Sequence, residues 1–169
     1  IETALPQARW VARLDADDCL SSAGSVEALR SEGENKDALF VVGSNDLVSS
    51  GEVQDSPNIA NHDVLLNPSR VVEFIHAFCA GQSRHELPSC NLLLRSGSGI
   101  RYPLLRSAED HWLVAQLLVF KSERAAIVPT PLYCRYTLKG SSTSANTRSG
   151  AHKKTRAKLA EASQAWLSM

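Results

Sequence analysis

The chain lacks almost everything that would place it in a specialised class. Its 169 residues carry 18 basic and 18 acidic side chains, a net charge of zero, so no overall field draws it to nucleic acid. Any anion it handles must be bound locally. Four cysteines, Cys19, Cys79, Cys90 and Cys134, stand far apart with no Cys-x-x-Cys pair. That excludes a small disulfide scaffold and points to reduced thiols in a cytosolic setting, packed as small hydrophobes. The five histidines, His62, His76, His85, His111 and His152, form no zinc-binding spacing. No apolar run approaches the roughly 18 residues of a membrane span, and no leader pattern is recognisable. Internal repeats and low-complexity tracts are absent too. The 43% hydrophobic content is enough for one domain with a proper core.

What is present is concentrated at Trp10-Val11-Ala12-Arg13-Leu14-Asp15-Ala16-Asp17-Asp18, an apolar run that stops on three carboxylates. Its bulky and β-branched residues read as a buried strand opening into an acidic loop, where sites in open α/β sheets sit. Three acids so close repel one another unless water or a cation compensates. Hard carboxylate oxygens suit Mg²⁺ or Mn²⁺, with coordination positions left for a phosphate. The plainer reading of the same stretch is a helix N-terminus with Asp17 or Asp18 as cap.

Downstream, Ser21-Ser22-Ala23 to Arg30 reads as a helix with serine caps and Gly33 beyond its end, and residues 38 to 43 as a second strand. Together with the first strand they form a βαβ unit with a right-handed crossover. Asp46 to Pro68 is a polar connection. Ser69 to Ala80 has helical spacing, capped by Ser69 and stopped by Gly81, and Leu92-Leu93-Leu94 is a short strand. Ser107 to Ser122 is the clearest helix, with Ser107 as cap, Glu109 and Asp110 in its first turn, Trp112 in the core and His111 facing solvent. Ala125 to Val128 is a strand ended by Pro129 and Pro131, and 132 to 138 another extended piece. Residues 1 to 9 read as a helix tail interrupted by Pro6. Ala151 to Met169 closes as a basic, then apolar helix, whose Lys153-Lys154-Thr155-Arg156 cluster is a solvated face or a contact for an anionic membrane.

The order Asp15-Ala16-Asp17-Asp18, a glycine turn with Ile100-Arg101-Tyr102-Pro103, Ser107-Ala108-Glu109-Asp110-His111-Trp112, then Pro131-Leu132-Tyr133-Cys134-Arg135-Tyr136 resembles family 2 glycosyltransferases of the GT-A fold. The resemblance covers most of residues 1 to 145. It implies an α/β fold with a mixed sheet flanked by helices; residues 146 to 169, outside it, read as a basic amphipathic helix of the same domain or the start of a linker. It also implies a metal-dependent, inverting transfer from a nucleotide-sugar donor to a hydroxyl of a glycan, lipid or protein acceptor, with no nucleic-acid partner. Carried over residue by residue, Asp17 and Asp18 are the metal ligands for Mg²⁺ or Mn²⁺, Asp15 and Arg135 serve the donor diphosphate, Asp110 is the general base, and Glu109 contacts the acceptor or supports Asp110. One departure is Thr137, where many members carry a histidine.

Complete members begin with a nucleotide-binding half that precedes the acidic loop, so the resemblance makes this chain the C-terminal portion of a catalytic domain, inactive alone. Its expected place is cytoplasmic, peripheral at the inner face of a membrane. Two other readings compete. One is a degenerate, non-catalytic domain that binds glycan or a partner. The other takes Asp15 and Asp17 as nucleophile and acid of a dehalogenase-type phosphatase, which Asp18-Cys19 fits badly.

Overall fold

The computed structural model describes residues 8–15, 18–49, 52–54, 62–83, 85–87, 92–105, 107–136 and 149–166, with backbone alone for 131–136 and for residues 47, 49, 54 and 62. The expected helix tail at 1 to 9, the loop at 139 to 144 and Thr137 fall wholly or mostly outside them. So does Asp17.

Among the described residues six strands form one mixed sheet: β1 (Trp10–Ala12), β2 (Cys19–Leu20), β3 (Phe40–Ser49), β4 (Glu52–Gln54), β5 (Leu92–Arg95) and β6 (Ala125–Tyr136), in the spatial order β1-β5-β3-β6-β2 with β4 folded back on β3. The helices are α1 (Ser25–Asn35), α2 (His62–Leu65), α3 (Pro68–Cys79), α4 (Glu109–Phe120) and α5 (Ala151–Trp166). Strand alternation sorts the core onto two faces. Phe40, Val42, Leu92 and Ile127 join the cluster with α3, α4 and α5, whereas Val41, Leu93 and Ala126 pack with Leu29 of α1. The chain is thus a mixed α/β structure with helices on both sides of the sheet.

The first strand, α1 and β3 occur in the expected order, but β1 and β3 are not neighbours. Strand β5 lies between them and pairs antiparallel to each, so β1 and β3 run the same way without pairing. Helix α1 starts later than expected, at Ser25 behind Gly24 with no side-chain cap, and runs through Gly33. The glycine serves contact rather than termination. A Cβ on Gly33 would sit 2.7 Å from the Trp10 ring and 2.8 Å from Val41, so only hydrogen lets α1 settle this close to the sheet.

Helix α3 begins one residue before the expected start because Pro68 occupies the first position and Asn67, not Ser69, caps it, accepting from Arg70 N at 3.2 Å. Gly81, with φ +71°, follows its end as expected. Strand β6 does not stop at its prolines. Val128 pairs with Gly43, Pro131 with Ser44 and Tyr133 with Asn45, so bulges absorb Pro129-Thr130 and then Leu132, and the strand continues to Tyr136. Helix α5 packs on α3 and α4, with Leu159 fully buried in the main core and Trp166 edge-on to Trp112 at 5.9 Å.

Candidate functional site

The site is built where β1 leaves the sheet. Arg13 still donates its backbone N–H to Leu92 O at 3.0 Å, which fixes its Cα on the ladder, and Asp18 N–H returns to Asp15 O at 3.1 Å to close the acidic turn. Trp10 packs toward α1, so Val11 takes the other face of β1, and Arg13, held on the ladder just past the strand's end, follows it. Arg13 therefore points to the side that carries α4.

Three carboxylates from two distant segments meet its guanidinium. Asp15 Oδ1 lies 3.1 Å from Nη2, Glu109 Oε1 3.9 Å from Nη2 and Asp110 Oδ2 3.7 Å from Nη1. The guanidinium carbon also sits 5.3 Å from the centroid of the Tyr102 ring, in cation–π range. Burial works against its charge, but Tyr102, Asp15 and Asp110 outweigh that and hold Arg13 above its ordinary value. The same burial pushes the Tyr102 phenol up. Val11, Ala12, Arg13, Leu14, Leu94, Tyr102 and Glu109 line a cavity of about 410 Å³, apolar on most walls with charge at one end.

Helix α4 enters the site through a strained joint. Ala108 stands in the left-handed region, φ 56°, a conformation that costs a residue with a Cβ about 1–2 kcal/mol. Ser107 is buried rather than capping, and no side chain caps the helix. This turn sets Glu109 and Asp110 toward Arg13. Asp110 is largely buried, its Oδ1 accepting the His111 N–H at 2.8 Å. Burial pushes its carboxyl up, yet charge on His111, the His111 N–H and Arg13 together hold it below the ordinary carboxylate value.

Behind Asp110 the expectation of a solvent-facing His111 fails. Its ring is buried, edge-on to Phe78 at 5.0 Å and stacked on His152 of α5 at 5.7 Å. Arg156 lies 4.3 Å over the Phe78 ring, so the basic cluster of α5 is not one solvated face: Lys153 and Lys154 are exposed, Arg156 half-buried. The apolar face that Phe78 presents explains the difference.

Of the residues singled out from sequence, Asp15, Glu109 and Asp110 gather around Arg13. Asp18 closes the acidic turn half-buried, and Asp17 lies outside the described residues. Arg135 follows Cys134, which pairs with Cys19, and Cys19 follows Asp18, so the backbone brings the Arg135 segment alongside the exit of the acidic loop. Its side chain is not described. Among the described residues no group of three His, Cys, Asp or Glu side chains is arranged to hold a metal. Also among those residues, no helix is long and apolar enough to cross a membrane.

Sequence reasoning passed over Arg13 and Tyr102. The signal for Arg13 was its place two residues before Asp15; that for Tyr102, five residues before the buried Ser107, was only its place in the Ile100-Arg101-Tyr102-Pro103 segment.

No protein-family model and no curated protein matches the chain. Among solved structures it is similar to Staphylococcus aureus TarS 1-349 in complex with UDP-GlcNAc, with a TM-score of 0.55 and 18% identity. The alignment covers 85% of this chain and 39% of that one, so the chain spans about two fifths of the neighbour's length. At that identity the likeness concerns the fold.

Proposed function

We propose that the chain carries part of a glycosyltransferase catalytic domain of the GT-A type, taking a sugar from a nucleotide-diphosphate donor to an acceptor hydroxyl. The observation that carries this reading is the convergence of Asp15 with Glu109 and Asp110 on Arg13 at the rim of a 410 Å³ cavity. The fold's likeness to TarS, solved with a nucleotide-sugar, supports it.

In this reading Asp110 is the general base. An acceptor oxygen attacks the anomeric carbon, the bond from that carbon to the diphosphate breaks, and the acceptor proton passes to the Asp110 carboxylate. Held below its ordinary value, Asp110 is ionised at neutral pH, as a base must be. One displacement with one base inverts the anomeric centre. Asp17 and Asp18 would hold Mg²⁺ or Mn²⁺, which when bound stabilises charge on the departing diphosphate. Asp15 and Arg135 belong to the diphosphate side, and Glu109, on the cavity wall, to the acceptor. The acceptor is a glycan, lipid or protein hydroxyl.

Calorimetry of UDP-sugars with and without Mn²⁺, followed by a transfer assay on the protein and on Asp110→Asn, tests the proposal. Mn²⁺-dependent binding and turnover lost in Asp110→Asn support it. Metal-independent sugar binding without turnover would instead make the chain a glycan-binding domain.

A further inference from the structure

The three carboxylates around Arg13 are not held alike. Only the Asp15 contact, at 3.1 Å, has hydrogen-bond length; those to Glu109 and Asp110, at 3.9 and 3.7 Å, are too long and act through charge alone. Arg13 thus meets Asp15 at hydrogen-bond length and lies by the Tyr102 ring, while Glu109 and Asp110 feel its charge. Asp110 shows the complementary division. Its Oδ1 is engaged by the His111 N–H at 2.8 Å, while Oδ2 is the oxygen nearest Arg13 and takes no hydrogen bond from it.

We propose that Arg13 is a positioning residue: clamped by Asp15 and Tyr102, it holds the Asp110 carboxylate turned so that Oδ2 is the atom that receives the acceptor proton. This rests on the reading of Asp110 as general base. A cation at hydrogen-bond distance from Oδ2 would compete with the incoming hydroxyl, whereas one at 3.7 Å keeps the carboxylate ionised and leaves the lone pair to the acceptor. Arginine suits the task because its guanidinium does not lose its proton and lies flat on an aromatic face, while its two terminal nitrogens address separate partners. An exposed ion pair would contribute little, but this side chain is only 25% accessible and its partners come from chain segments about a hundred residues apart.

The test uses Arg13→Met and Arg13→Lys in the whole chain. Thermal melting first identifies which variants fold. The Asp110 side-chain carboxyl is then titrated by ¹³C NMR without substrate. In Arg13→Met its midpoint rises by about half a unit or more, and in Arg13→Lys by less. Transfer kinetics give the second readout: kcat falls about tenfold to a hundredfold in Arg13→Met while the donor KM changes by less than about threefold, and lysine restores part of the loss.

An unmoved Asp110 midpoint in a folded Arg13→Met, or a loss confined to donor KM, overturns the proposal. If Arg13→Met does not fold, Arg13→Lys decides it by the same two measurements. Should the wild-type chain bind a UDP-sugar without Mn²⁺ dependence and transfer nothing while the Asp110 midpoint still shifts, the glycosyltransferase reading fails and the electrostatic hold of Arg13 on Asp110 stands.

Discussion

Two arginines flank the start of α4, and the same ionic group is used in opposite ways. In front, Arg13 stands among Asp15, Glu109 and Asp110 beside an open cavity. Behind, Arg156 lies over the Phe78 ring, with His111 and His152 stacked alongside, where α3, α4 and α5 meet. The front cluster is assembled from strand ends and turns and carries charge toward solvent. The rear one is aromatic and closes a helix junction. The contrast teaches that burial of a guanidinium has no meaning apart from its partners: carboxylates at a rim suggest chemistry, ring faces in a junction suggest cohesion.

The contrast can be broken from either side. The largest effect is expected in front: Asp110→Asn lowers transfer by about 10²-fold or more with little change in thermal midpoint, read from initial rates and melting together. A melt displaced as far as a core mutant's would move Asp110 into the structural half. Next comes the rear, where Leu159→Ala, at a fully buried position of α5, costs about 2–5 kcal/mol in denaturant unfolding. Arg156→Met keeps the aliphatic stem and loses the cation–π contact, about 0.5–2 kcal/mol, and leaves donor affinity unchanged by calorimetry.

The smallest effect is a pH dependence. The Asp110 carboxyl is lower in the native chain than in the unfolded one, where it titrates near about 3.9. Its contribution is therefore fully present above that value and is lost as pH falls through the native one. Urea midpoints measured from pH 6 down to pH 2.5 should fall more steeply for the wild type than for Asp110→Asn below about pH 4.

Much of this architecture was readable in the residues. The body of α3 with Val71, Val72, Ile75 and Phe78 on its buried face, and β5, follow from runs of apolar residues that tertiary contacts reinforce; the strand before the acids exists too, but at the sheet edge and half-exposed rather than buried. What escaped did so for stated reasons. Gly33 reads as a helix end because glycine is a poor helix former, and nothing local reveals that the Trp10 ring lies 2.7 Å from where a Cβ would be. His111 reads as exposed because the residues that bury it, Phe78 and His152, come from elements far away in sequence. Ser107 reads as a cap, but the left-handed Ala108 turns the chain before the helix begins. In the site, the acids were legible as acids. Their common partner was not, since an arginine inside a hydrophobic run looks like a strand residue until the far end of the chain arrives.

The bulges in β6 carry a last consequence. Between Val128 and Tyr133 that strand spends three more residues than β3 does, an odd number. Successive strand residues alternate sides, so trimming one residue from this detour would exchange the inner and outer faces of everything after it. The bulges thus act like the stop on a ratchet: they fix the register in which the Arg135 segment arrives beside the acidic turn, and a slip of one notch would deliver the same backbone out of step.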